Sequence, residues 1–252
     1  MSDGVPEPLP DWLAGARRVT VLTGAGISTD SGIPDYRGPD GVWTRDPDAE
    51  KLVTLGYYLA DPEIRRRSWL MRQALHDADP QPNAGHGALV DLERQGRLRA
   101  LVTQNIDGLH QAAGSSPDRV LEIHGTVHEV VCVGCGDRTA MRDALARVAA
   151  GEPDPPCLVC GDVLKSATVY FGQMLDEQVV AACTAAAADC DLFLAVGTSL
   201  RVWPAAGLAD VAVGAGARLV VVNAQATPYD DVADLVVREP IGTALPRLVA
   251  PA

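Results

Sequence analysis

Val19-Thr20-Val21-Leu22-Thr23-Gly24-Ala25-Gly26-Ile27-Ser28 is the stretch on which the fold is decided. A short apolar run rich in β-branched residues ends in a glycine turn and then a helix start. Four comparable runs follow: Leu98–Val102, Leu192–Val196, Leu219–Val222 and Leu235–Val237. Continuous apolar runs of this length, most of them rich in Val, read as strands buried on both faces, as in a parallel sheet. Helical patterns at Gly87–Glu93 and Asp176–Ala188 lie between them, which predicts a doubly wound, Rossmann-like α/β domain. The last two runs are so close that any crossover between them must be short.

The strand ends carry the chemistry. The first run ends in Gly24-Ala25-Gly26, the second in Thr103-Gln104-Asn105-Ile106-Asp107, the third in Gly197-Thr198-Ser199 and the fourth in Asn223. In open α/β sheets the ligand crevice lies beyond the carboxyl ends of the strands, so four polar ends on one rim predict a binding site. Gly24-x-Gly26 alone is a weak dinucleotide signal, because Thr29 stands where a third glycine belongs. It continues, however, into Gly32-Ile33-Pro34-Asp35-Tyr36-Arg37-Gly38. A helix start at Ile27-Ser28 and a loop bearing Arg37 suit a pyrophosphate.

Composition bounds the rest. The 252 residues are 47% hydrophobic, which excludes general disorder, and the net charge of −12 argues against a nucleic-acid or anionic-membrane binder. Met1–Pro10 lacks the basic and apolar regions of a signal peptide, and no apolar stretch approaches the roughly 20 residues of a membrane span. The expectation is a cytoplasmic protein. Two stretches break the strand–helix alternation, Gly32–Asn83 and Thr126–Ala167, the first with one helix near Ile64–Leu75. The chain is therefore divided as a single domain over 1–252. A core of about 12–31, 84–125 and 168–252 carries a smaller inserted lobe from about 32–83 and 126–167. Within the second insertion, Cys132-Val133-Gly134-Cys135 and Cys157-Leu158-Val159-Cys160 have zinc-ribbon spacing. Four thiolates fill a tetrahedral shell and leave no place for water, so a Zn²⁺ there is structural; no secretory signal favours disulfides instead. Cys183 and Cys190 read as ordinary buried thiols.

Taken together, Gly24–Ser28, Gly32–Arg37, Gln104-Asn105-Ile106-Asp107-Gly108-Leu109-His110, His124-Gly125, the paired cysteines and Gly197-Thr198-Ser199 resemble the sirtuin family, in family order. The Gly-Ile-Pro-Asp-Tyr-Arg form and Gln81–His86 are similar to its class II branch. The resemblance implies NAD as a co-substrate: the acyl group of an acyl-lysine in a protein or peptide passes to ADP-ribose, releasing nicotinamide. It implies cofactor contacts at Gly24, Ala25, Gly26 and Ile27, with Asp35, Tyr36 and Arg37 in a cofactor loop. Gln104, Asn105, Ile106 and Asp107 fall on the nicotinamide side, and Gly197, Thr198, Ser199, Asn223, Gln225 and Ile241 complete the cofactor contacts. A ribose hydroxyl must attack the captured acyl group, which needs a base of near-neutral pKa, and His124 stands in the family's base position. Asn105 and Asp107 join it as catalytic residues.

The segment Lys165–Gln173 is similar to the family's peptide-binding strand, with Val169, Phe171 and Gly172 as substrate contacts by β-augmentation. The family usually has Pro at Ser166 and Glu at Gln173, so peptide preference is open. Arg65, Arg66, Arg67 and Arg72 form a basic island, read as a solvated helix face or as a reader of a carboxylated acyl group. Neither Tyr57 nor Tyr58 has the Arg three residues later that the class III branch uses. Among the other histidines, His86 reads as a helix-start residue, His110 as packing or capping, and His76 and His128 as surface or supporting residues. Deacylation is the leading activity. ADP-ribosyl transfer or lipoyl and long-acyl removal with weak deacetylation is the alternative, and an NAD-sensing binding module is a third reading from another class.

Overall fold

The computed structural model describes residues 4–251. The first three residues of the Met1–Pro10 stretch and the last residue of the 168–252 segment lie outside the described residues. Among the described residues the nine strands are β1 Val19–Thr23, β2 Leu98–Thr103, β3 Val120–Glu122, β4 Gly125–Cys132, β5 Arg138–Ala140, β6 Leu164–Thr168, β7 Leu192–Val196, β8 Arg218–Val222 and β9 Leu235–Val237. The α-helices are α1 Asp11–Ala14, α2 Val42–Arg45, α3 Leu55–Ala60, α4 Pro62–Ala78, α5 Ala84–Arg94, α6 Leu109–Ala113, α7 Met141–Ala149, α8 Glu177–Ala188, α9 Leu208–Gly214 and α10 Ile241–Leu248.

Six strands form one parallel sheet in the order β3-β2-β1-β7-β8-β9. The chain leaves β1 in one direction to build β2 and β3, then returns to β7 and builds outward the other way. That reversal between β1 and β7 is the topological switch point of a doubly wound fold. Alternation along the strands supplies two apolar faces. Val19, Val21, Leu194, Val196, Val220 and Val222 meet Leu89, Leu92, Leu245 and Leu248 of α5 and α10. Leu22, Phe193, Ala195, Leu219 and Val221 meet Cys183, Ala187, Ala209 and Ala212 of α8 and α9. Alanines on that second face let both helices lie close to the sheet. Cys183 and Cys190 are buried there as apolar residues. The β8–β9 connection, Asn223 to Asp234, contains no helix, which is the short crossover anticipated.

Local signals explain the helix starts. Asp176 accepts from the backbone N–H groups of Gln178 and Val179 at 2.8 and 3.2 Å and caps α8. Asn83 and His86 form a reciprocal capping box on α5, with the Asn83 N–H donating to His86 Nδ1. Asn83 Nδ2 also donates to the Ile27 carbonyl at 2.8 Å, tying this helix to the turn after β1. Among the described residues no helix is long and apolar enough to cross a membrane.

The smaller antiparallel sheet, β5-β4-β6, packs α7 and Trp69 of α4 around Val130, Leu145 and Leu164. Its outer end carries two matching knuckles. Gly136 N–H donates to the Cys132 carbonyl and Gly161 N–H to that of Cys157, at 3.0 and 2.9 Å. Both glycines have φ near +75° (74° and 79°), a conformation that strains other residues. The four sulfur atoms of Cys132, Cys135, Cys157 and Cys160 lie within 4.8 Å of one another, with Cys132–Cys160 at 3.4 Å and Cys135–Cys157 at 3.7 Å. A tetrahedral Zn²⁺ with Zn–S bonds of about 2.3 Å needs sulfurs about 3.8 Å apart, so this donor set fits zinc and excludes disulfides at about 2.05 Å. Metal analysis of Cys132→Ser is predicted to show loss of the zinc, with a lower melting temperature as the lobe loosens. Full metal content in that variant would refute the four-thiolate site.

Candidate active site

The site grows from backbone packing at the switch point. Gly24 N–H donates to the Val196 carbonyl at 3.0 Å, Gly26 N–H to the Gly197 carbonyl at 2.9 Å, and Gly197 N–H to the Val222 carbonyl at 2.8 Å. A Cβ on Gly24 would stand 2.7 Å from Gly197 O, one on Gly26 would stand 2.8 Å from Gly197 Cα, and one on Gly197 would stand 2.5 Å from Ile27 N. The turns after β1 and β7 therefore touch main chain to main chain. The first continues as a 3₁₀ turn, Ala25–Ser31, in place of the α-helix start read from Ile27-Ser28.

The turn after β2 is laced to this pair. Gln104 Nε2 donates to Thr198 Oγ1 at 2.9 Å, and Asn105 Nδ2 donates to Gly24 O and Ser28 Oγ at 3.2 and 3.1 Å. Ser28 Oγ in turn donates to Asp107 Oδ2 at 2.8 Å, while the other carboxylate oxygen accepts the Leu109 N–H. Ser28, buried and central to this chain of bonds, was not singled out from the sequence as a site residue. Its place in the Gly24–Ser28 motif was the available signal, but its partner Asp107 lies 79 residues further along the chain, beyond the first insertion. Behind it lies a buried relay. His110 Nε2 lies 2.9 Å from Thr23 Oγ1, whose hydroxyl donates to Thr103 Oγ1, which accepts the Asn105 N–H. Burial lowers the His110 pKa to about 3, so this ring is neutral.

His124 follows β3. Its Nδ1 lies 3.0 Å from the Gln104 carbonyl oxygen. A carbonyl only accepts, so Nδ1 carries the proton and the neutral ring keeps its lone pair on Nε2. Burial lowers the His124 pKa below its ordinary 6.5, and the bond to the Gln104 carbonyl opposes that shift. The imidazole is thus a neutral acceptor at physiological pH.

His124 faces one cavity of about 1290 Å³. Gly24, Ala25, Gly26, Asp35, Tyr36, Arg37, Gln104, Asn105, Ile106, Gly197, Thr198, Ser199, Asn223, Gln225 and Ile241 line the same cavity, as do Val169, Phe171 and Gly172. Ile27 and Asp107 do not line it. Ile27 is in the core under the turn, and Asp107 acts from behind through Ser28. Asp35 folds its own loop by accepting the Gly38 N–H at 2.8 Å, and Arg37 stacks over Trp43, 4.5 Å from the ring centroid. At the far end Arg238 donates to the Asn223 and Gln225 carbonyls and pairs with Asp230, which braces the turn after β8. Arg201, Trp203 and Arg238 also line the cavity and carried no sequence motif.

Val169 N–H donates to the His124 carbonyl at 2.8 Å, and β6 is an edge of the small sheet. The segment next to His124 thus continues from an edge strand, the geometry β-augmentation requires. Ser166 is fully buried and shares a hydroxyl bond of 2.7 Å with Thr168. The basic island is not a solvated face throughout. Arg65 pairs with Asp154 and Arg66 with Glu63, but Arg72 is buried and donates to the Tyr170 hydroxyl at 2.7 Å. The lattice of close glycines predicts that Gly26→Ala destabilises the chain by about 1–3 kcal/mol, read by denaturant titration. It also predicts weaker dinucleotide binding, because the turn must retreat from Gly197; unchanged stability and binding would contradict the packing.

The sequence pattern of the Sir2 family matches residues 24–204. NAD-dependent protein deacetylase 2 of Streptomyces coelicolor is 62% identical over 237 residues, covering 94% of this chain and 98% of that protein. NAD-dependent protein deacetylase 1 of Bradyrhizobium diazoefficiens is 45% identical over 241 residues, covering 95% and 93%. A solved structure described as "Sir2-p53 peptide-NAD+" is similar at 34% identity with a TM-score of 0.82, covering 94% of each chain. By pattern, by relatives along nearly its whole length and by fold, the chain belongs to the Sir2 family.

Proposed function

We propose that this chain is an NAD-dependent protein-lysine deacetylase that works as a single catalytic domain, with core 12–31, 84–125 and 168–252 and lobe 32–83 and 126–167. The observation that carries this reading is that His124 and the whole dinucleotide crevice open into one cavity. When bound, NAD supplies the glycosidic bond that is broken and the ADP-ribose that accepts the acyl group. Gly24, Ala25 and Gly26 bring bare backbone to the pyrophosphate, and Arg37 supplies charge from the loop. The turn at Gly197–Ser199 with Asn223, Gln225 and Ile241 holds the adenosine half. Gln104, Asn105 and Ile106 face the nicotinamide side, and Asp107 keeps Asn105 in place through Ser28.

His124 Nε2 takes a proton from a ribose hydroxyl, while the Gln104 carbonyl keeps the ring in the tautomer that allows it. Val169, Phe171 and Gly172 hold the acyl-lysine peptide beside that base. The zinc, bound by Cys132, Cys135, Cys157 and Cys160, braces the small lobe and takes no part in the chemistry. Protein lysines are the partner class in this reading and neither nucleic acid nor membrane is, which the acidic charge balance supports; the location is read as cytoplasmic.

Incubation with an acetyl-lysine peptide and NAD is predicted to release nicotinamide, and His124→Ala to reduce kcat/KM by at least 10²-fold. Activity falls as His124 becomes protonated. Because burial lowers its pKa, the acid limb of the kcat/KM profile is predicted below pH 6.5. Deacetylation without NAD, or an acid limb above that value, would overturn the assignment.

A further inference from the structure

Three neighbouring strands are each entered through arginine. Arg17 and Arg18 precede β1, Arg97 and Arg99 flank the first residue of β2, and Arg119 precedes β3. The parallel register pairs Val19 with Leu98 and Leu101 with Val120, so these side chains gather at the amino ends of the strands. The dinucleotide crevice lies at the carboxyl ends. Arg17, Arg18, Arg99 and Arg119 line a second cleft of about 440 Å³, a volume typical of small-ligand sites, and it shares no lining residue with the first. Arg97 is buried and donates to the Ala16 and Leu13 carbonyls at 2.9 and 3.2 Å, which fixes the segment that carries Arg17 and Arg18. In a chain with 33 acidic and 21 basic residues, the cleft is a local reversal of sign.

Carboxylates do not balance that lining. The cleft holds two, Glu93 and Asp118. Glu93 accepts the Ser116 backbone N–H at 3.2 Å, and Asp118 stands 4.0 Å from Arg119 Nε. Asp189 and Asp191 lie outside the lining. Asp191 accepts the backbone N–H groups of Arg17 and Arg18 at 3.0–3.2 Å, so it serves the main chain. Asp189 alone is shared by Arg99 at 2.9 Å and Arg18 at 3.7 Å, and Arg17 enters no ion pair among the described residues. We infer that this cleft binds a phosphoryl anion, free or carried on a small molecule. A guanidinium fork pairs with two oxygens at once, and a tetrahedral dianion offers such faces in several directions where a planar carboxylate offers one. Forks arriving from three strands match the tetrahedral anion. A concave wall of one charge sign also focuses the field on what enters it. The site goes beyond the deacetylase reading and does not depend on it.

The test follows arginine Nε–H signals by nuclear magnetic resonance in the zinc-loaded protein, with the Arg17 and Arg119 signals identified by their loss in Arg17→Lys and Arg119→Lys. Inorganic pyrophosphate also suits the dinucleotide crevice, and site-resolved signals separate the two. Pyrophosphate should shift the signals of Arg17, Arg99 and Arg119 together and saturably. Combining Arg17→Ala with Arg119→Ala should weaken the titration read at Arg99 about tenfold or more. Nicotinamide release should be unchanged in that double variant, which shows that its fold is kept. Ribose 5-phosphate supplies a second arm: tighter binding than pyrophosphate assigns the cleft to a phosphorylated small molecule, and weaker binding assigns it to free oligophosphate. Shifts that rise without saturating, or a titration at Arg99 that survives the double variant, would overturn the site. Succinate binding as tightly as pyrophosphate would overturn its phosphoryl assignment.

Discussion

The main-chain contact between Gly24-Ala25-Gly26 and Gly197 is the constraint on which the rest of the molecule depends. Two strands that run side by side but lead the chain in opposite directions leave a crevice between their outgoing turns. Side chains in those turns would fill it, since added Cβ atoms would meet backbone at 2.5–2.8 Å. With glycine at all three positions the turns close on each other, their own N–H groups bonded to backbone carbonyls, and the strand-end residues line the open space beyond them. An acidic chain has no general attraction for an anionic dinucleotide. Local donors placed by this packing, with Arg37, must supply it.

The geometry around His124 is built outward from the same contact. Asn105 donates to Gly24 O, so the turn after β2 is registered on the glycine pair, and Ser28 and Asp107 fix it from behind. Gln104 bonds Thr198 with its side chain and His124 with its carbonyl oxygen. One residue thus couples the turn after β7 to the tautomer of His124. His124 then couples to the segment after β6, because its own carbonyl accepts the Val169 N–H. The small lobe has little apolar core of its own, and its closed four-thiolate cluster compensates for that.

Much of this was legible in sequence because it depends on short-range pattern. Leu192–Val196 and Leu235–Val237 are uninterrupted apolar runs, and they are strands because both faces of the sheet are covered. The cysteine pairs were legible for the same local reason. What was not legible depends on distant residues meeting. Arg72 reads as one more surface arginine of a basic helix, yet it is buried on Tyr170. Ser28 gains its role only from Asp107, and Asp107 proves to support the cavity rather than line it. Trp203 belongs to no motif, and its ring packs against the bare backbone of Gly207 in the next turn.

Product analysis of a single reaction tests the account most directly. An acetyl-lysine peptide mixed with NAD and the holoprotein should yield the deacetylated peptide, nicotinamide and acetylated ADP-ribose in equal amounts, separated and identified by mass. Release of free acetate with NAD left intact, or of nicotinamide with the acetyl group still on the peptide, would contradict it.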